Sequence, residues 1–138
     1  MKDIQINFIH FCDAATIDGS GKLNILGIFN KIILKEIPSK LPKFSLVVAL
    51  IFEKKSIPKN RLEITIIGPK KETLDIKPPI NIEFLIPKLN QEKKVDLNLI
   101  LDILNLEFKN TGHHHVKIFL NGSMIIEKEI LVNQITKN

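Results

Sequence analysis

The sequence predicts an all-β protein, an antiparallel sandwich of eight or nine short strands. Three observations carry that prediction. Apolar and polar residues alternate with period two in one segment after another, as half-buried strands require. Turn-forming runs, Asp18-Gly19-Ser20-Gly21, Gly68-Pro69-Lys70-Lys71 and Asn121-Gly122, divide those segments at short intervals. No long stretch holds an uncontested helical period, and no internal repeat or linker appears.

The opening segment places Ile4, Ile6 and Phe8 on one face and Gln5 and Asn7 on the other. Continued alternation sends Phe11 outward. After the Asp18–Gly21 turn, Leu23, Ile25 and Phe29 read as the inner face of a second strand. Pro38-Ser39-Lys40-Leu41-Pro42 then breaks the chain, and all seven prolines fall between strand runs, where a missing N–H harms no ladder. Phe44 to Phe52 is almost continuously apolar, which fits a strand covered on both sides or at the centre of a sandwich. Lys54 to Asn60 reads as a basic loop, Leu62, Ile64 and Ile66 as one face of an amphipathic strand, and Ile80 to Ile86 as a short strand after Pro78-Pro79.

Val95 to Phe108 is ambiguous. Asn98, Asp102 and Asn105 have helical spacing, whereas Val95, Leu97, Leu99, Leu101 and Ile103 have strand spacing. The strand reading prevails because the earlier runs need a sheet partner. The apolar phase then slips to Leu104, Leu106 and Phe108, which predicts a bulge or bend near Leu104-Asn105. His114, Val116, Ile118 and Leu120 point one way, and Phe119 the other. Asn121-Gly122 is a strong hairpin signal, with Met124 to Val132 returning as the closing strand.

At 138 residues the chain fits one domain, 1–138, with core enough to fold without disulfides. A net charge of +5 invites an anionic partner, but the cations are Lys with a single Arg, Arg61. The planar fork suited to bidentate phosphate or base contacts is nearly absent, so nucleic acid is not an expected partner. One cysteine, Cys12, permits no internal disulfide. The N-terminus lacks a signal-peptide core, and no run approaches the roughly 18 apolar residues of a membrane span. The expected location is the cytoplasm, away from membranes. Absence of Trp and Tyr counts against a sugar platform.

The chain resembles a family of small prokaryotic proteins of unknown function with an immunoglobulin-like β-sandwich fold. The family pattern runs from Cys-Asp through Gly-Lys-Leu-Asn to Gly-x-Phe-Asp-x-Ile. Here these are Cys12-Asp13, Gly21-Lys22-Leu23-Asn24 and Gly27-Ile28-Phe29-Asn30-Lys31-Ile32. Asn98-Leu99-Ile100-Leu101, Leu106-Glu107-Phe108, Gly112 to Val116 and Asn121-Gly122 match the second half. Asn30 departs from the usual Asp, His114 from Tyr and Val116 from an aromatic residue. The resemblance implies the fold and no mechanism. It also implies that His114 takes the corner role of a Tyr that bonds backbone upstream.

Candidate chemistry is sparse. His113 and His115 share a strand face about 7 Å apart and offer two zinc ligands, but zinc takes three or four. His10, Cys12 and Asp13 invite a nucleophile reading, yet neighbours along one strand seldom converge as base and nucleophile must. The Asp18–Gly21 run lacks the Lys-Ser/Thr ending of a phosphate loop and the spaced acids of a calcium loop. Lys54-Lys55, Lys70-Lys71 and Lys93-Lys94 lie in predicted turns, and no aromatic residue interleaves with them for base stacking.

No catalytic, cofactor-binding or metal residue is therefore assigned. The expectation is a non-enzymatic binding or scaffold module that recognises a protein partner or itself through an edge strand or loop end, with Phe11 and Phe119 as outward apolar groups. The alternatives are a metal-binding protein or metal-dependent enzyme using His113 and His115, and a weak nucleic-acid binder using the Lys-rich loops.

Overall fold

Alternation sets the strands, and the turn residues set where they reverse. The computed structural model describes residues 4–53, 59–86 and 94–135, and over them the chain forms nine strands and no helix. β1 (Ile4–Ile17) and β2 (Leu23–Phe29) are the predicted pair. The Asp18 carboxylate fixes their turn, accepting from Ser20 N at 2.9 Å, Ser20 Oγ at 2.6 Å and Lys22 N at 3.0 Å. β3 (Lys31–Leu34), β4 (Ser39–Glu53), β5 (Lys59–Ile67) and β6 (Asn81–Leu85) follow, then β7 (Lys94–Phe108), β8 (Gly112–Leu120) and β9 (Ser123–Gln134). Asn121 and Gly122, both at positive φ (52° and 85°), make the tight β8–β9 turn as predicted.

The first sheet has the order β2-β1-β4-β7 and the second β3-β9-β8-β5-β6. All pairs are antiparallel except β3 with β9, which is parallel. Between β2 and β3 the chain crosses from one sheet to the other, so its early part lies along its last strand. β4 and β7 against β5, β8 and β9 hold the places of the B, E, C, F and G strands of an immunoglobulin-like sandwich, β1, antiparallel beside β4, holds that of A, and β2 is added at the sheet edge. The short β3 was not separated from β2 in the sequence reading.

The core lies between the sheets. Phe44, Leu46, Val48, Leu50 and Phe52 of β4 face Leu62, Ile64 and Ile66 of β5 and Val116, Ile118 and Leu120 of β8. Phe11, Phe29 and Phe44 cluster at one end, with centroids 6.1–6.4 Å apart. Phe52 meets Phe84 edge-on at the other, 5.8 Å away. Near the first cluster Gly27 (φ +69°) lies under the Asp13 carboxylate, where an added Cβ would stand 2.2 Å from Asp13 Oδ2. Two parts of the family pattern, Cys12-Asp13 and the Gly27 run, thus meet across β1 and β2.

Three expectations are corrected. Phe11 is wholly buried in the core. The β1–β4 register shifts between Ile6 and Phe8, so the inward parity passes from Ile4 and Ile6 to Ile9 and Phe11, leaving Phe8 outside. Pro42 lies within β4 instead of between strands. β1 pairs with β4 only as far as Cys12 and Ser45, so that flank of Pro42 has no strand to serve. The β4–β7 register runs unbroken from Ser39 and Phe108 to Glu53 and Lys94, so no bulge interrupts it. Of the expected bulge or bend near Leu104-Asn105, the bend is what forms: Asn105 sits at φ 51° opposite Pro42, and both strands change face there, from Phe44 and Ile103 to Leu41 and Leu106. Of the predicted Lys54–Asn60 loop, Lys59 and Asn60 belong to β5, and residues 54–58 lie outside the described residues.

Candidate interaction surface

Each sheet has a second face turned away from the core, and the two differ in chemistry. On the first sheet the cross-strand register aligns Ile28, Cys12, Ser45 and Asp102 in one row. His10, Val47 and Ile100 form the next, and Phe8, Ala49 and Asn98 the one after. None of the apolar members belongs to the core cluster. Val47 and Ala49 are nonetheless buried. The larger side chains around them are partly or fully open: Phe8, Ile51 and Ile100 are half-buried, while Leu26, Ile28 and Leu104 are 70%, 57% and 47% exposed. The ionisable side chains of this face are Asp96 and Asp102, His10, the exposed Lys43 in register with Leu104, and Lys94, which pairs with Glu53 at 3.7 Å.

The polar centre of this face is bonded internally. Ser45 Oγ donates to Asp102 Oδ1 at 2.6 Å, and Cys12 Sγ donates to the Ser45 carbonyl at 3.7 Å. Burial, then the charge of Asp13, pushes the Cys12 thiol up, away from the thiolate a nucleophile needs. His10 shares the face, as predicted, but its ring lies against Phe8 at 5.2 Å. Burial and the charge of Lys128 push His10 down.

The second sheet turns a charged face outward. His113 and His115 both lie on it, and each faces a glutamate across the β8–β9 ladder. His113 Nδ1 contacts Glu129 Oε1, and His115 Nδ1 is 3.6 Å from Glu127 Oε1. Among the described residues no three His, Cys, Asp or Glu side chains converge as metal ligands. Phe119 is half-buried on this face, outward as expected. At the hairpin end Lys59, Arg61, Glu63, Glu83 and Asn121 surround an open depression of about 400 Å³. Glu83 accepts from Arg61 at 2.6 Å and lies 3.4 Å from Lys59, which together hold its carboxyl below the usual range. The lone guanidinium is thus already matched to a carboxylate.

His114 is buried beneath this face. Its Nδ1 donates to the Gly112 carbonyl at 3.0 Å, and Phe108 meets the ring edge-on at 5.3 Å. It therefore bonds backbone upstream, as the resemblance implied. Its Nε2 has no partner among the described residues, and burial pushes the imidazole down. Lys70 and Lys71 occupy a turn as expected, Lys94 begins β7, and Lys54, Lys55 and Lys93 lie outside the described residues. No helix among the described residues is long and apolar enough to cross a membrane. Sequence reasoning missed Lys128, whose Nζ reaches between the sheets to the Ile9 carbonyl and lies 5.5 Å from the Phe11 ring centre. Its place between Ile126 and Ile130 on the inward parity was the available signal.

With a two-sheet immunoglobulin-like sandwich in view, the comparison with known proteins is decisive for kinship. The profile of a family of unknown function, DUF6941, matches residues 7–133. The chain belongs to that family. No curated protein matches it. Among solved structures it is similar to a Pseudomonas fluorescens alkylpurine DNA glycosylase, AlkC, determined bound to DNA containing an abasic site analogue (12% identity, TM-score 0.50, 95% of this chain). The chain spans 30% of that glycosylase's length, and the likeness is one of fold. A Lin-41 filamin domain is also similar (10% identity, TM-score 0.36, 76% of this chain and 84% of that one). So is an immunoglobulin-like protein of Pseudomonas aeruginosa (13% identity, TM-score 0.35, 95% and 97%).

Proposed function

We propose that this DUF6941 member is a non-enzymatic binding module whose outer first-sheet face recognises a protein. The observation that carries the reading is the exposure of Leu26, Ile28 and Leu104 around the half-buried Phe8, Ile51 and Ile100 on one continuous sheet face. Contiguous apolar surface of that kind is costly in water and is a common mark of an interaction site. Three polar groups within it, Cys12, Ser45 and Asp102, are already bonded, Cys12 to the Ser45 carbonyl and Ser45 Oγ to Asp102, so a partner need not supply those hydrogen bonds.

Affinity capture of the tagged chain from its host's lysate tests this, with washes at low and high salt and with protein and nucleic acid both quantified. A discrete, stoichiometric protein that survives high salt is the expected result, because apolar contacts are not screened. Nucleic acid released by salt with no protein retained would contradict the reading. The metal alternative rests on His113 and His115 with a third ligand still to be found. Zinc titration against the His113→Ala/His115→Ala variant decides it.

A further inference from the structure

The sandwich has four lateral edges, and they are unequally protected. β3 and β6 are edge strands of only four and five residues, and β2 is bent at Gly27. Where β1 and β9 lack β2 and β3 beside them, Lys128 reaches in and takes the Ile9 carbonyl. Short strands, bends and inward-pointing cations are the usual means of closing an edge. β7 differs. It is a 15-residue edge strand that pairs with β4 alone among the described residues. Beside its free edge lies a groove of about 320 Å³, walled on one side by Ile76 and the Pro78–Ile82 run and on the other by Ile100, Asp102 and Leu104.

We infer that the free edge of β7 and this groove dock an extended segment of a partner protein in which apolar residues alternate with Lys or Arg. This rests on the proposed protein-binding role and names the partner's chemistry. A strand added to an edge gains main-chain hydrogen bonds, and its alternate side chains seek pockets. The groove supplies an apolar one. Charge selects the other set: Asp96 and Asp102 are both exposed on β7, and the nearby Lys77 already pairs with Asp75 at 3.1 Å. A second copy pairing through β7 would bring these acids together across the interface, whereas a basic segment matches them.

The test is amide hydrogen exchange on the full chain, read over residues 96–104, with synthetic peptides of about six residues, the length of a common strand. One peptide alternates Lys with Val, a second Glu with Val, and a third is the Lys–Val peptide N-methylated at alternate residues. The Lys–Val peptide should slow exchange of outward β7 amides about tenfold or more at saturation. The Glu–Val and N-methylated peptides should leave it unchanged. Asp96→Asn, which disturbs no bond in the fold, should weaken Lys–Val binding about two- to fivefold at low salt. Equal protection by Lys–Val and Glu–Val, or none by either, would overturn the inference. So would a β7 edge already protected in a peptide-free dimer, which would make a second copy the occupant. Peptide contact confined to Leu26 and Ile28 would overturn the β7 site and leave the broader protein-binding reading standing.

Discussion

The two outer faces of the sandwich occupy equivalent places in the fold and are built from opposite chemistry. Behind the first sheet, Val47 and Ala49 of the interior strand β4 are buried and stand in register with His10 and Phe8 on one side and Ile100 and Asn98 on the other. Behind the second, the central β8 presents His113, His115 and Lys117 to Glu127 and Glu129. A sheet with one solvated face normally alternates apolar and polar residues, and β8 does so. β4 does not over its middle, where the outward residues Val47, Ala49 and Ile51 are apolar as well. The difference teaches that the two faces carry unequal apolar area into water, and the proposed binding role rests on that inequality.

That contrast can be broken at several points. The largest effect belongs to the inward parity, which the sheets share. Phe11→Ser should cost about 4 kcal/mol by denaturant unfolding, whereas Phe119→Ser, on the second outer face, should cost under about 1 kcal/mol. Comparable losses would mean that Phe119 belongs to the core. Next comes the central position of each outer face. Val47→Asp places a charge among apolar neighbours and should cost about 3 kcal/mol, while Thr65→Asp, opposite Lys117 on the second sheet, should stay within about 0.5 kcal/mol of the parent. Similar values for the two would erase the distinction between the faces.

Gly27→Ala should cost about 2 kcal/mol, through positive φ and the collision with Asp13. Asp13→Ala in the same chain should recover the collision and leave the backbone cost, an interaction that a double-mutant cycle reads directly. The smallest effect is a slope. His114 has a lowered folded pKa, so below its unfolded value of about 6.5 the unfolded chain binds a proton that the native chain resists. Its contribution to stability is present above that pH and is lost as pH falls toward the lowered folded value. His114→Phe, which also removes the unpartnered Nε2, should flatten the acid limb of stability below pH of about 6.5. An unchanged limb would assign it to other groups.

Much of this was legible in the residues. Period-two alternation and the Asp18, Gly68 and Asn121 turns located the strands, and the polar face of β8 was read correctly because polar and apolar residues there separate cleanly by parity. Phe11 was misread because Phe8, Ile9 and Phe11 put apolar residues on both parities, and only the register shift after Ile6 chooses between them. Pro42 looked like a breaker because sequence does not reveal that β1 stops pairing at Ser45. The continuous apolar run of β4 announced burial on both faces, but which neighbours provide it depends on long-range pairing. The candidate surface was hidden for the same reason. Leu26, Ile28, Ile100 and Leu104 are far apart in the chain, and only the sheet order gathers them.

The central claim is that the first outer face, and not the second, is the protein-binding surface. Parallel captures from host lysate with the parent chain, Leu26→Ser/Ile28→Ser and Lys117→Ser/Phe119→Ser test it most directly, with folding of each variant checked by its thermal transition. The account predicts that a salt-resistant partner is held by the parent and by the Lys117/Phe119 variant and is lost from the Leu26/Ile28 variant. Retention by the Leu26/Ile28 variant with loss from the Lys117/Phe119 variant would contradict it.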